Sequence, residues 1–139
     1  MVVVPRGPFN AIIAHATESP LEEICGILGG RDAAVERVYR ARNVAEPEKR
    51  RTRFQMNPLD IMEISDQIED DGITPVGFYH SHTHTQAYPS PTDVHDWPAR
   101  WYPDALCFIC SLMDEERPQL RAFRIDEAGH ITEESIRVE

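Results

Sequence analysis

The chain has 139 residues, with 14 basic against 24 acidic side chains and a formal net charge of −10. That length fits one domain, residues 1–139, with a real core, and the acidic balance excludes general nucleic-acid binding. Three cysteines, an odd count, fit a reducing compartment.

At the N-terminus, Met1 to Val4 is apolar but Pro5 follows at once, far short of a signal-peptide core. Phe9 to Glu18 carries Phe9, Ile12, Ile13 and Ala16 at helical spacing, and Pro20 ends that helix. Glu23 to Leu28 reads as a strand closed by Gly29-Gly30. Val35 to Val44 reads as a second strand, imperfectly alternating among arginines, and Arg53 to Met56 as a short third. Asn57-Pro58 opens another helix, with Leu59, Ile61, Met62, Ile64 and Ile68 as its apolar side and Gly72 at its end. Val76 to His82 is β-prone. A short helix starts near Pro91 and stops at Pro98. Ala105 to Met113, the longest apolar run, is apolar on both faces of a strand, as in a sheet centre, and far shorter than the roughly 20 residues of a membrane helix. Gln119 to Ile125 and Ile131 to Val138 read as late antiparallel strands around a turn at Asp126–Gly129. The order predicts an α+β domain, α/β/α-like, in which a mixed, largely antiparallel sheet is flanked by helices. With no membrane span, the expected location is cytoplasmic.

The chemistry concentrates in His80-Ser81-His82, then Ser90 and Asp93. Residues i and i+2 of a strand share a face, so both imidazoles can converge on one ion, and the loop from Thr83 to Pro89 can return Asp93 over the strand end. Two histidines and a carboxylate suit a catalytic zinc, with the fourth position left open. Ser90, Pro91 and Asp93 also read as an N-cap, an N1 proline and a first-turn acid, and the two readings are compatible. His84 shares the parity of His80 and His82, which leaves a three-histidine site as an alternative, or a substrate contact at the cleft. His95, with Trp97 and Trp101 nearby, is expected to pack or line a cleft wall, and His15 to be solvated. Cys107 and Cys110 have knuckle spacing, but in a strand they point to opposite faces and read as core thiols. Cys25 reads likewise.

His80-Ser81-His82, seven residues, Ser90, two residues, Asp93 resembles the JAMM (MPN+) metalloprotease motif. The family's upstream glutamate, set shortly before a glycine in an apolar strand, is matched by Glu23-Ile24-Cys25-Gly26-Ile27-Leu28. The resemblance covers nearly the whole chain. Tyr79 to Thr83 and Ala87 to Ser90 look most like the small bacterial members that cleave an amide at the C-terminal glycine of ubiquitin-like sulfur carriers. It implies the JAMM/MPN, cytidine-deaminase-like architecture, one Zn2+ per chain on His80, His82 and Asp93, Glu23 rather than Glu22 as proton shuttle, and Ser90 as donor to the oxyanion. It implies as partner a sulfur carrier with a Gly-Gly tail, and release of cysteine or a short extension. A deubiquitinase-like isopeptidase, a small-amide zinc hydrolase and a metal-free binding module stay open. So does the oligomeric state, a homodimer included.

Seven of the 14 basic residues lie between Arg37 and Arg53. They read as a solvated strand face or as a docking surface for an acidic protein.

Overall fold

A computed structural model describes residues 1–139. The elements are β1 (Val2–Val4), α1 (Arg6–Glu18), β2 (Cys25–Arg31), β3 (Ala34–Ala41), α2 (Pro58–Asp70), β4 (Thr74–His82), α3 (Pro91–Asp96), β5 (Leu106–Ser111), β6 (Gln119–Ile125), β7 (Ile131–Glu134) and β8 (Ile136–Val138). A single turn of 3-10 helix covers Pro47–Lys49. The eight strands form one sheet in the order β7-β6-β5-β4-β2-β3-β1-β8. The pairs β2–β3, β2–β4, β5–β6 and β6–β7 are antiparallel, while β4–β5, β1–β3 and β1–β8 are parallel. The α+β architecture expected from the sequence is therefore present.

The two faces are covered separately. α1 buries Ile12 and Ala16 against Leu28, Tyr79 and Phe108 on one face. α2 buries Ile64 and Ile68 against Cys25, Ile27 and Tyr39 on the other. A third cluster, with Ala87, Cys107, Ile109 and Phe123, lies under the loop that carries α3. Leu59 and Met62 were expected on the buried side of α2, yet both are exposed. The helix turns only the Ile61, Ile64 and Ile68 ridge toward the sheet, a narrower stripe than its apolar content suggests.

Three other expectations need correcting. Gly29-Gly30 does not close β2. The strand runs on to Arg31, and the reversal falls at Asp32-Ala33, both at positive φ. The pairing shifts register at this point, and a Cβ on Gly30 would collide with the Ala34 carbonyl, so the glycine permits the irregularity. Arg53 to Met56 is no strand, only a single bridge between Asn43 and Met56. Ile131 to Val138 is broken at Ser135. β7 stays on β6, while β8 pairs with β1 at the other end of the strand order. One residue joins these two ends, so the sheet must curl round on itself.

Candidate metal centre

β4 sits between β2 and β5 and alternates cleanly. Tyr79 enters the α1 core, while Phe78, His80 and His82 share the opposite face. Gly26 pairs with Tyr79 in register, and a Cβ there would run into the tyrosine ring. Glycine at 26 thus lets the Tyr79 ring lie flat across β2, where its hydroxyl meets His15 Nδ1 at 2.7 Å.

His80, His82 and Asp93 converge. His80 Nε2 and His82 Nε2 are 3.2 Å apart, and each is 3.1 Å from Asp93 Oδ2. The ligand atoms of these three residues lie close enough together that they could hold one metal ion. Ligands about 2.0–2.1 Å from a tetrahedral zinc stand about 3.3 Å from one another, so the triangle is close to one face of such a site. The donor chemistry fits as well. His82 Nδ1–H donates to the Gln86 carbonyl at 2.8 Å, which leaves Nε2 as a lone pair directed at the triangle. Two imidazole nitrogens and a carboxylate oxygen aimed at one point repel unless a cation or protons lie between them.

Burial pulls His80 below the usual histidine range, only partly offset by Asp93. Burial pulls on His82 too, but its bonds to Asp93 and Gln86 prevail and leave it raised. For Asp93 burial acts upward and is overcome by the hydrogen bonds of His80, His82 and the Ser90 N–H, so the carboxyl stays well below its ordinary range. The loop brings Asp93 in through a capping box. Ser90 Oγ accepts the Asp93 N–H at 3.1 Å, and Asp93 Oδ2 accepts the Ser90 N–H at 2.9 Å. The cap uses only an acceptor lone pair of Ser90, so its O–H remains able to donate.

Glu23 lies two residues before the start of β2. Extending the Cys25–His80 register by two residues sets Glu23 opposite His82, on the face of the three converging residues. Glu23 is buried while Glu22 is exposed. No hydrogen bond or ion pair engages the Glu23 carboxyl. Burial pushes its pKa up to about 8, against His82, which lowers it, and with Asp93, which raises it further.

The backbone around Glu23 is held from three sides. Its N–H donates to Arg50 O at 2.7 Å, and its carbonyl accepts from Asn43 Nδ2 at 2.9 Å. The next N–H, of Ile24, donates to Ser81 Oγ at 2.9 Å. Asn43 also donates to Arg53 O and accepts from Ala45 N and Gln55 N. Sequence reasoning missed Ser81 and Asn43. Their partners are distant backbone atoms, and the one available signal was a serine enclosed by two histidines.

Other candidates fall elsewhere. β4 ends at His82, and His84 is exposed beyond it, bonded to Thr83 and outside the converging set. His95 is exposed with Asp96 as partner and is not among the residues lining the cavity beside His80, whereas Trp97 is. Trp101 is exposed. His15 is not simply solvated. It is half-buried against Tyr79, and its pKa is lowered to about 4 by burial and then by Arg40. Cys25, Cys107 and Cys110 are buried free thiols. Cys107 and Cys110 lie in different clusters on opposite faces, as strand parity required. Burial pushes Cys25 and Cys110 up to about 12, far from a nucleophile's range.

Of the arginine-rich stretch, Arg37, Arg40 and Arg42 pair with Asp71, Glu18 and Asp60, and Arg50 Nε donates to Ala45 O. Most of that cluster is thus engaged within the chain.

No helix is long and apolar enough to cross a membrane. Among known proteins, the chain is 34% identical over 138 residues to the CysO-cysteine peptidase of Mycobacterium tuberculosis, covering 99% of this chain and 91% of that protein. It is 36% identical over 111 residues to the desampylase of Haloferax volcanii, covering 73% and 74%. A solution structure from Desulfitobacterium hafniense superposes with a TM-score of 0.85 at 29% identity, covering 100% of this chain and 93% of that one. Residues 5–126 match the family Prok-JAB, described as prokaryotic homologs of the JAB domain, in agreement with the JAMM/MPN resemblance of the motif. The chain belongs to this family.

Proposed function

We propose that residues 1–139 form one zinc-dependent peptidase domain that hydrolyses the amide after the C-terminal glycine of a ubiquitin-like sulfur carrier. The observation that carries the reading is the convergence of His80, His82 and Asp93 within 3.1–3.2 Å, with the unpaired Glu23 carboxyl buried on the same sheet face. The relatives supply the substrate class. One is named CysO-cysteine peptidase and another desampylase.

His80, His82 and Asp93 would hold the ion. Zinc there would supply a Lewis acid and a water whose pKa is lowered to about 7. Glu23 accepts the proton of the attacking water and returns it to the departing amine nitrogen as the carbon–nitrogen bond breaks. Ser90 O–H donates to the carbonyl oxygen as that oxygen gains charge. The apolar surroundings strengthen both interactions. Ser81 and Asn43 fix the backbone from which Glu23 acts. An extended Gly-Gly tail carries no side chain to obstruct its approach to the buried ligand set. Three buried free thiols suit a reducing cytoplasm. His84, exposed two residues beyond β4, would contact the tail.

The test is to mix the enzyme with a carrier–cysteine adduct and follow the carrier mass. Loss of one cysteine residue, blocked by chelator and by Glu23→Gln, is the expected result. An intact adduct beside ready cleavage of ubiquitin-type isopeptides or a free small amide would overturn the assignment.

A further inference from the structure

A cavity of about 580 Å³ opens from His80 and Asp93. Its apolar wall includes Phe54, Met56, Phe78 and Trp97. This wall is organised. Phe54 stacks on the His80 ring at 4.5 Å, and Trp97 meets Phe78 edge-on at 5.7 Å. The volume far exceeds what two glycines or one thiol side chain would fill, so the cavity is not explained by the tail on the acyl side.

Four charged groups line it besides Asp93: Glu46, Lys49, Arg53 and Asp96. Lys49 lies 3.6 Å from Glu46, and Asp96 lies 2.9 Å from His95. Arg53 alone has no ion pair and no side-chain hydrogen bond. Its backbone is nevertheless fixed, because its carbonyl accepts from Asn43 Nδ2 at 3.0 Å. Arg51 is also unpaired but does not line the cavity. The cleft therefore presents one uncommitted guanidinium, on an anchored backbone, beside an aromatic wall and the metal ligands. A guanidinium on such a frame suits a carboxylate, which it can grip with two parallel hydrogen bonds.

We infer that this cavity receives the departing residue, with its free α-carboxylate on Arg53 and its side chain against the Phe54–Phe78–Trp97 wall. The domain then acts as a carboxypeptidase on the last residue of the conjugate. An isopeptide-linked lysine has its α-carbon inside a polypeptide and offers no carboxylate at that position, so Arg53 would select against it. The wall admits apolar and aromatic last residues as well as cysteine. The inference rests on the peptidase reading above and specifies its leaving-group side.

The experiment compares two substrates, a ubiquitin-like sulfur-carrier protein ending Gly-Gly-Cys as the free acid and the same protein ending in the cysteine amide. The ratio of kcat/KM, acid over amide, is measured for the zinc-loaded wild type, Arg53→Gln and Arg53→Lys. The wild type should favour the acid by tenfold or more, mainly through KM. Arg53→Gln should bring the ratio near one, and Arg53→Lys should keep part of it. Because the readout is a ratio within each variant, a general loss of activity or folding does not imitate it. Equal cleavage of acid and amide by the wild type, or an unchanged ratio in Arg53→Gln, overturns the carboxylate site and leaves the peptidase reading standing. Cleavage of neither substrate by zinc-loaded wild type overturns that reading and this inference with it.

Discussion

The Ser81 hydroxyl accepts the Ile24 N–H at 2.9 Å, across 57 residues of chain. The Ser81 N–H in turn donates to Ile24 O at 3.0 Å. The residue between the two histidines thus clamps the segment bearing Glu23 to the strand bearing the ligands. Both halves of the proposed mechanism are set by this one serine.

Ser81→Ala leaves the Ile24 N–H buried without its acceptor, at a cost of about 1–3 kcal/mol. Thermal unfolding should show that loss. Turnover should fall further than metal content, because Glu23 loses its anchor while His80 and His82 do not. Equal falls in zinc occupancy and kcat would mean that Ser81 serves the ligands instead.

Purified protein should hold about one equivalent of zinc per chain, removable by chelator, with a lower Tm after removal. His80→Ala, His82→Ala and Asp93→Ala should each lose it, whereas His84→Ala should keep it. Metal analysis of the four variants decides between this set and one built on His84.

Glu23→Gln should keep zinc and lose most turnover. It should also change stability in the metal-free protein. The folded carboxyl has a pKa of about 8, well above its unfolded value. The folded state therefore holds a proton that the unfolded state releases, and wild-type stability falls as pH rises from about 4.5 to about 8. Metal-free Glu23→Gln should escape this loss and melt higher than wild type at pH 8. A lower melting point there would show the carboxylate to be stabilised by its surroundings.

Ser90→Ala separates two roles. If the O–H donates to the carbonyl oxygen, kcat should drop on the order of 10²–10³. The lost cap should cost only about 1 kcal/mol. A stability loss of that size with full kcat would assign Ser90 to the helix alone.

His15 titrates at about 4 in the folded chain, below its unfolded value of 6.5. The unfolded state takes up the proton first, so stability is complete above about pH 6.5 and declines as pH falls toward 4. The ring is only half-buried, and solvent screening limits the effect to about 1 kcal/mol. His15→Gln should flatten the plot of Tm against pH across that window. An unchanged slope would assign the acid sensitivity to carboxylates.

Much of the core was readable in advance for a local reason. Strand alternation alone puts His80 and His82 on one face and separates Cys107 from Cys110. Serine, proline and aspartate at 90, 91 and 93 announce a helix start whether or not they bind anything. The features that escaped depend on partners remote in sequence. Nothing beside His15 announces the Tyr79 hydroxyl, and nothing beside Asn43 announces three backbone segments. The arginines at 37, 40 and 42 looked available because Asp71, Glu18 and Asp60 lie 34, 22 and 18 residues away. Leu59 and Met62 are exposed because only the Ile61, Ile64 and Ile68 stripe of α2 meets the sheet, and apolar content alone does not tell how wide that stripe is.

The pairing of β1 with β8 sets an order on biosynthesis. Val2 lies beside Ile136, 134 residues later, so β1 has no partner on that side until Ile136 has been made. Until then the apolar Val2-Val3-Val4 edge is open to other chains. Contacts of such long span slow folding, and a chain cut before Ile136 would keep the other seven strands but leave this border of the sheet unprotected.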